Sequence, residues 1–116
     1  MSIQEQLVTL LSGQTDAATR IYPMVAPTGT AKPYIVYQRI SAISETVLSG
    51  DSGLTNTRMQ IDVYADTYQS AQHTADQIEA LMAGWSVQNV SVLAQDLYED
   101  AVQLHRVQAD FSIWHS

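Results

Sequence analysis

Between Arg58 and Gly84 the run RMQIDVYADTYQSAQHTADQIEALMAG changes its apolar period within a few residues. Met59, Ile61 and Val63 alternate with Arg58, Gln60, Asp62 and Tyr64, as a strand with one buried and one polar face requires. Asp66 then stands in an N-cap position, where its carboxylate accepts from free backbone amides and Gln69 reaches back as in a capping box. Beyond it, Ala71, Ala75, Ile78 and Met82 draw one helical stripe, opposite Gln72, His73, Asp76 and Glu79. Gly84 is expected to end the helix in the left-handed conformation. A strand therefore feeds directly into an amphipathic helix, and both turn one face to a common core.

The rest of the chain supplies partners for that unit. Ser2 and Glu5 form a capping-box pattern ahead of an apolar stripe of Ile3, Leu7, Leu10 and Leu11, closed by Gly13. Residues 14–33 hold all three prolines and predict an irregular connector with a helical turn near Ala17. Tyr34 to Ile43 is β-branched and aromatic with apolar residues on both faces, which favours a central strand. From Ile43 to Thr57 the chain is rich in Ser, Gly, Thr and Asp without a clean period, so a long hairpin loop over about 44–56 is expected. Val87 to Tyr98 is β-rich but alternates poorly, and Glu99-Asp100 offers a turn. In the last run Val107, Ala109, Phe111 and Ile113 alternate cleanly with Arg106, Gln108, Asp110 and Ser112. The expectation is one α+β domain over 1–116, ordered α-β-β-α-β-β, with two main helices on one face of an antiparallel or mixed four-stranded sheet.

Residues 58–63 and 106–111 share the pattern Arg-apolar-Gln-apolar-Asp-apolar. A single pair of such runs is first taken as coincidence. Were it structural, two strands would show matching polar ladders, with Arg facing Asp across strands or between chains.

At 116 residues the chain can bury a core without staples, and it has no cysteine for disulfides, thiolate metal sites or a thiol nucleophile. Its N-terminus has neither the basic region nor the cleavage site of a signal peptide, and no stretch is apolar enough to span a membrane, so a cytoplasmic protein is the default. Twelve acidic residues stand against five Lys and Arg, for a net charge of -7, which excludes a basic stripe able to grip nucleic acid.

Candidate chemistry is thin. His73, His105 and His115 lack the spacing of a zinc pair; His73 is expected in solvent, His105 at the end of the core face of the last strand, and His115 near a frayed end. Asp96, Glu99 and Asp100 lack the spacing and glycine of a calcium loop. Ser49 to Gly53 resembles a phosphate loop but has no lysine and precedes a strand. No catalytic, cofactor or metal site is indicated. Trp114 and Tyr64 fall on the polar faces of their strands, which suits an interface if the helices leave them uncovered.

Pro33-Tyr34-Ile35-Val36-Tyr37, the polar stretch after it, Gln60 to Thr67, Ala71 with its helix, and Asp110-Phe111-Ser112-Ile113-Trp114 together resemble the tail completion or tail terminator family of long-tailed bacteriophages and prophages. The resemblance spans nearly the whole chain and is carried by structural, not catalytic, motifs. It implies a non-enzymatic subunit of the virion tail, assembled in the bacterial host cytoplasm. Such subunits form a ring, typically a hexamer, on the head-proximal end of the tail tube, stop its polymerisation and face the head–neck connector. An acidic inner wall would let DNA pass without holding it. The alternatives are a head-completion or neck protein, and an α+β enzyme domain with a small-ligand pocket. Interface candidates are Glu45, Asp51 and Leu54 of the 45–55 loop, expected to order on assembly, and the ladder Arg58, Gln60, Asp62, Arg106, Gln108 and Asp110, with Trp114.

Overall fold

The computed structural model describes residues 2–47 and 50–115, the side chains of 44–47 and 50–53 excepted. In chain order its elements are α1 (Ile3–Leu11), β1 (Ile21–Pro23), β2 (Tyr34–Val47), β3 (Gly50–Ala65), α2 (Tyr68–Ala83), β4 (Asn89–Glu99) and β5 (Leu104–His115). The strands form one mixed sheet ordered β1-β2-β3-β5-β4. Pairing is parallel between β1 and β2 and antiparallel elsewhere.

Both helices pack on one face of this sheet, as the apolar stripes dictate. Ile3, Leu7 and Leu11 of α1 and Ala71, Ala75, Ile78 and Met82 of α2 meet Met59, Ile61, Val63 and Ala65 of β3 and Val107, Ala109, Phe111 and Ile113 of β5. Phe111 and Ile61 are among the fully buried side chains, and each such burial stabilises the fold by about 1.5–3 kcal/mol. Ser2 closes α1 as predicted: its hydroxyl accepts from the Glu5 amide at 3.1 Å, and the Glu5 carboxylate accepts from the Ser2 amide at 3.2 Å.

Four expectations change. The sheet has a fifth strand, because Ile21–Pro23 leaves the connector long enough to pair with Ile35, Val36 and Tyr37; three residues carry too little pattern to be seen in advance. The N-cap of α2 is Thr67, not Asp66, and its side chain accepts from the Ser70 amide. Gly84 follows the helix at φ -91, outside the left-handed region. The loop expected over 44–56 is mostly strand, since β2 and β3 stay paired from Tyr34 with Tyr64 out to Val47 with Gly50. The described side chains that lead into this outer hairpin, Ile40 to Ile43 and Leu54, are exposed and show no apolar period. The molecule is drawn out to 52 × 26 × 23 Å by the hairpin.

The central strand assignment also shifts. β2 is covered by β1 over three residues only, and the sheet centre is β3 with β5. β3 and β4 run parallel with antiparallel β5 between them, so β3, α2 and β4 form a split β-α-β unit. β4 touches α2 through polar side chains, Asp96 with Tyr68 and Gln72 and Ser91 with Glu79, and is exposed along most of its length, which explains its weak alternation. Among the described residues no helix is long and apolar enough to cross a membrane.

The cap reassignment is testable by urea unfolding. Thr67→Ala is expected to lower stability by about 1 kcal/mol and Asp66→Ala by less than half as much; equal losses would return the cap to Asp66.

Candidate assembly surface

The face of the sheet turned away from the helices carries the predicted ladder. β3 and β5 pair so that Ile61 sits opposite Ala109, Gln60 opposite Asp110 and Asp62 opposite Gln108. A twofold axis through the Ile61–Ala109 pair relates 58, 60 and 62 to 106, 108 and 110. The repeated Arg-apolar-Gln-apolar-Asp pattern is therefore structural: antiparallel pairing sets each arginine diagonally across from the other strand's aspartate.

Arg58 Nη2 lies 3.2 Å from Asp110 Oδ2, and Arg106 Nη2 lies 3.2 Å from Asp62 Oδ1. Arg106 Nη1 also donates to Glu99 Oε1 at 2.8 Å. Gln60 Nε2 donates to Asp62 Oδ2 at 2.8 Å, and Gln108 donates to Asp110 more loosely at 3.5 Å. Asp62 and Asp110 are only 4% and 3% exposed, although among the described residues no helix or second sheet covers this face. The surrounding long side chains bury them. Burial raises the Asp62 pKa above its ordinary 3.8, against the opposing pull of Gln60 and Arg106.

Aromatic residues flank the ladder on one side. Tyr34 and Tyr64 stack with centroids 5.1 Å apart, and the Arg106 guanidinium carbon sits 5.7 Å from the Tyr64 centroid. Beside them, Met24, Val25, Tyr34, Val36, Tyr64 and Val102 line most of an open cleft of about 310 Å³. Glu99 is the one carboxylate lining it and is tied to Arg106. Asn56 donates to Ser112 at 2.7 Å further along the face. Trp114 pairs with Asn56 in register and is half-buried with no helix over it.

The remaining candidates lie elsewhere. Leu54 is exposed on the outer hairpin, and the Glu45 and Asp51 side chains fall outside the described residues. On the helix side, His73 Nδ1 is 2.7 Å from Asp16 Oδ2, a pair exposed to solvent that no sequence spacing announced. Asp96 accepts from the Tyr68 hydroxyl at 2.9 Å and also bonds Gln72, while His105 lies edge-on to Tyr68 and Tyr98. His115 bonds Thr57 at 2.7 Å. Among the described residues no group of three His, Cys, Asp or Glu could hold a metal ion.

Residues 3–116 match the family model described as Tail completion protein gp17, and the chain belongs to that family, which consists of structural proteins of phage-like virions, not enzymes. Among solved structures it is similar to a chain of the virion of a native gene transfer agent particle, with a TM-score of 0.66 at 16% identity, covering 93% of this chain and 82% of that one. At that identity the likeness speaks for the fold. A search of curated protein sequences finds no match.

A raised carboxyl pKa means that the folded state favours the protonated form, so this contribution to stability is present below pH 3.8 and is lost as pH rises through the folded-state value. Asp62→Asn mimics the protonated group and does not titrate. Wild type should therefore lose stability relative to Asp62→Asn as pH is raised from about 3 to 6 in urea unfolding. A relative gain would show that the attraction of Arg106 outweighs burial.

Proposed function

We propose that copies of this chain close into a ring, a hexamer, on the head-proximal end of the tail tube. The ring ends tube polymerisation and offers a surface to the head–neck connector. Family membership over residues 3–116 places the chain among virion structural proteins. The observation that carries the finer reading is that the sheet is left unfinished at both sides. Past Thr55, which pairs with His115, β3 is joined among the described residues to β2 alone, and a two-stranded ribbon alone in water is marginal. β4 at the other side is exposed on both faces. A heterologous contact between unlike surfaces closes into a ring when its rotation divides the circle.

The charge pattern suits passage of DNA through such a ring. Neither helix contains Lys or Arg, and both arginines of the ladder are tied to aspartates. Whichever face lines the bore, few free cations are available to hold phosphates, and the paired ladder adds to the acidic excess in keeping binding weak.

Tails assembled without the protein should grow to irregular, excess lengths, and adding purified protein should stop growth and place a ring at one end in negative-stain images. Tubes of uniform length without the protein would sink the capping role. A ring found on heads instead would make it a neck protein.

A further inference from the structure

The two sides left open are strand edges of similar length and opposite character. β4 spans eleven residues, Asn89–Glu99, and its outer edge pairs with no strand among the described residues. Proteins protect such edges with lysine, proline or a covering segment. β4 has neither residue, and it exposes Val90 at 52%, Val92 at 47% and Leu93 at 38%; its one irregularity is a bulge at Val92. On the far side of the sheet, β2 is free of β1 from Gln38 to Val47 and exposes Ile40 and Ile43, with its own bulge at Ile40.

We propose that the outer edge of β4 pairs antiparallel with the free edge of β2 from a second copy, so that the sheets of neighbouring subunits join. The inference rests on the ring reading above and names the contact that closes it. Strand direction alternates across β2, β3, β5 and β4, so a β2 strand added beside β4 by rotation continues the alternation. Charge and shape then select a register. Asp96 pairs with Val107, and so belongs to the helix side of the sheet, where it is exposed and accepts from the neutral donors Tyr68 and Gln72, which leave it its charge and spare acceptor positions; Arg39, opposite Met59, belongs to the same side and is exposed. With Arg39 of one copy against Asp96 of the next, the chain runs four residues to Ile43 on β2 and three to Leu93 on β4. The bulge at Ile40 absorbs the extra residue. Ile43 and Leu93 thus fall opposite each other on the open face, where Asn56 and Asp110, their partners within the chain, also lie. One acidic and one basic residue meet on one side of the joined sheet, and two exposed aliphatic residues meet on the other.

The chain has no cysteine, so a double variant, Ile43→Cys with Leu93→Cys, tests this contact directly. Within one subunit β2 and β4 are three strand spacings apart, about 14 Å, too far for a disulfide, whereas directly opposed residues of adjacent antiparallel strands are about 4.5–5.5 Å apart. Mild oxidation of the full chain, alone and added to assembled tail tubes, should convert the double variant into a ladder of covalent oligomers ending at the ring number. Each single variant should stay uncrosslinked. Arg39→Asp should raise the concentration needed for assembly several-fold, and Arg39→Asp with Asp96→Arg should restore it. Rings that form without crosslinking between 43 and 93 would overturn the edge pairing and leave the ring standing. Crosslinking of Leu93→Cys alone would replace it with a β4–β4 dimer. A chain that stays monomeric in both settings would remove the ring and the contact together.

Discussion

The antiparallel pairing of β3 with β5 is the constraint on which everything else depends. Period-two alternation on two adjacent strands produces one continuous apolar face and one continuous polar face. The apolar face, from Met59 to Ala65 and from Val107 to Ile113, is what α1 and α2 cover. The polar face has no such cover and must satisfy itself. It does so because the same pairing that aligns Ile61 with Ala109 brings Arg58 to Asp110 and Arg106 to Asp62. A shift of one residue would turn the charges into the core and the aliphatic residues outward, so the ion pairs and the core specify one register twice over.

Those ion pairs add less stability than their short distances suggest. Asp62 and Asp110 are nearly inaccessible, and desolvation offsets much of the attraction that their arginines supply, as the raised Asp62 pKa indicates. Arg58 keeps 41% of its side chain exposed, so its pair is further weakened by solvent. Removing one partner is a different matter, because the other is then left buried and unpaired. Any reading that hands Arg106 or Asp62 to another chain has to replace the bond that it already makes within its own.

Where burial imposed a period, the sequence was legible. The stripe on α2, the capping box at Ser2, the alternation of β3 and β5 and the turn after Glu99 all stand as expected, because each answers to one surface being dry or one set of amides needing a partner. Elements that lack a dry side were misread or blurred. Ile40 to Ile43 of β2 and Leu54 of β3 are exposed, so no apolar period marks the approach to the outer hairpin, and its Ser, Thr and Gly resemble a loop. β4 alternated poorly for the same reason. The repeated Arg-apolar-Gln-apolar-Asp run was visible, but its meaning was not, since only the register of two strands distant in sequence shows which arginine meets which aspartate.

The strands with the weakest apolar period are also the ones whose edges carry exposed aliphatic residues, and the two facts have one cause. Apolar periodicity reports burial within the chain. A strand that completes its burial against another molecule need not show that period, and it keeps aliphatic residues exposed that a solitary domain would replace with lysine or cover. Val90, Val92 and Leu93 on β4, and Ile40 and Ile43 on β2, fit that description, while the exposed side of α2 carries Asp76 and Glu79 and shows no comparable apolar residue beyond Tyr68 at its start. This asymmetry is what the proposed edge-to-edge contact between copies requires, since these exposed aliphatic residues lie on the two strand edges and not on the helix layer.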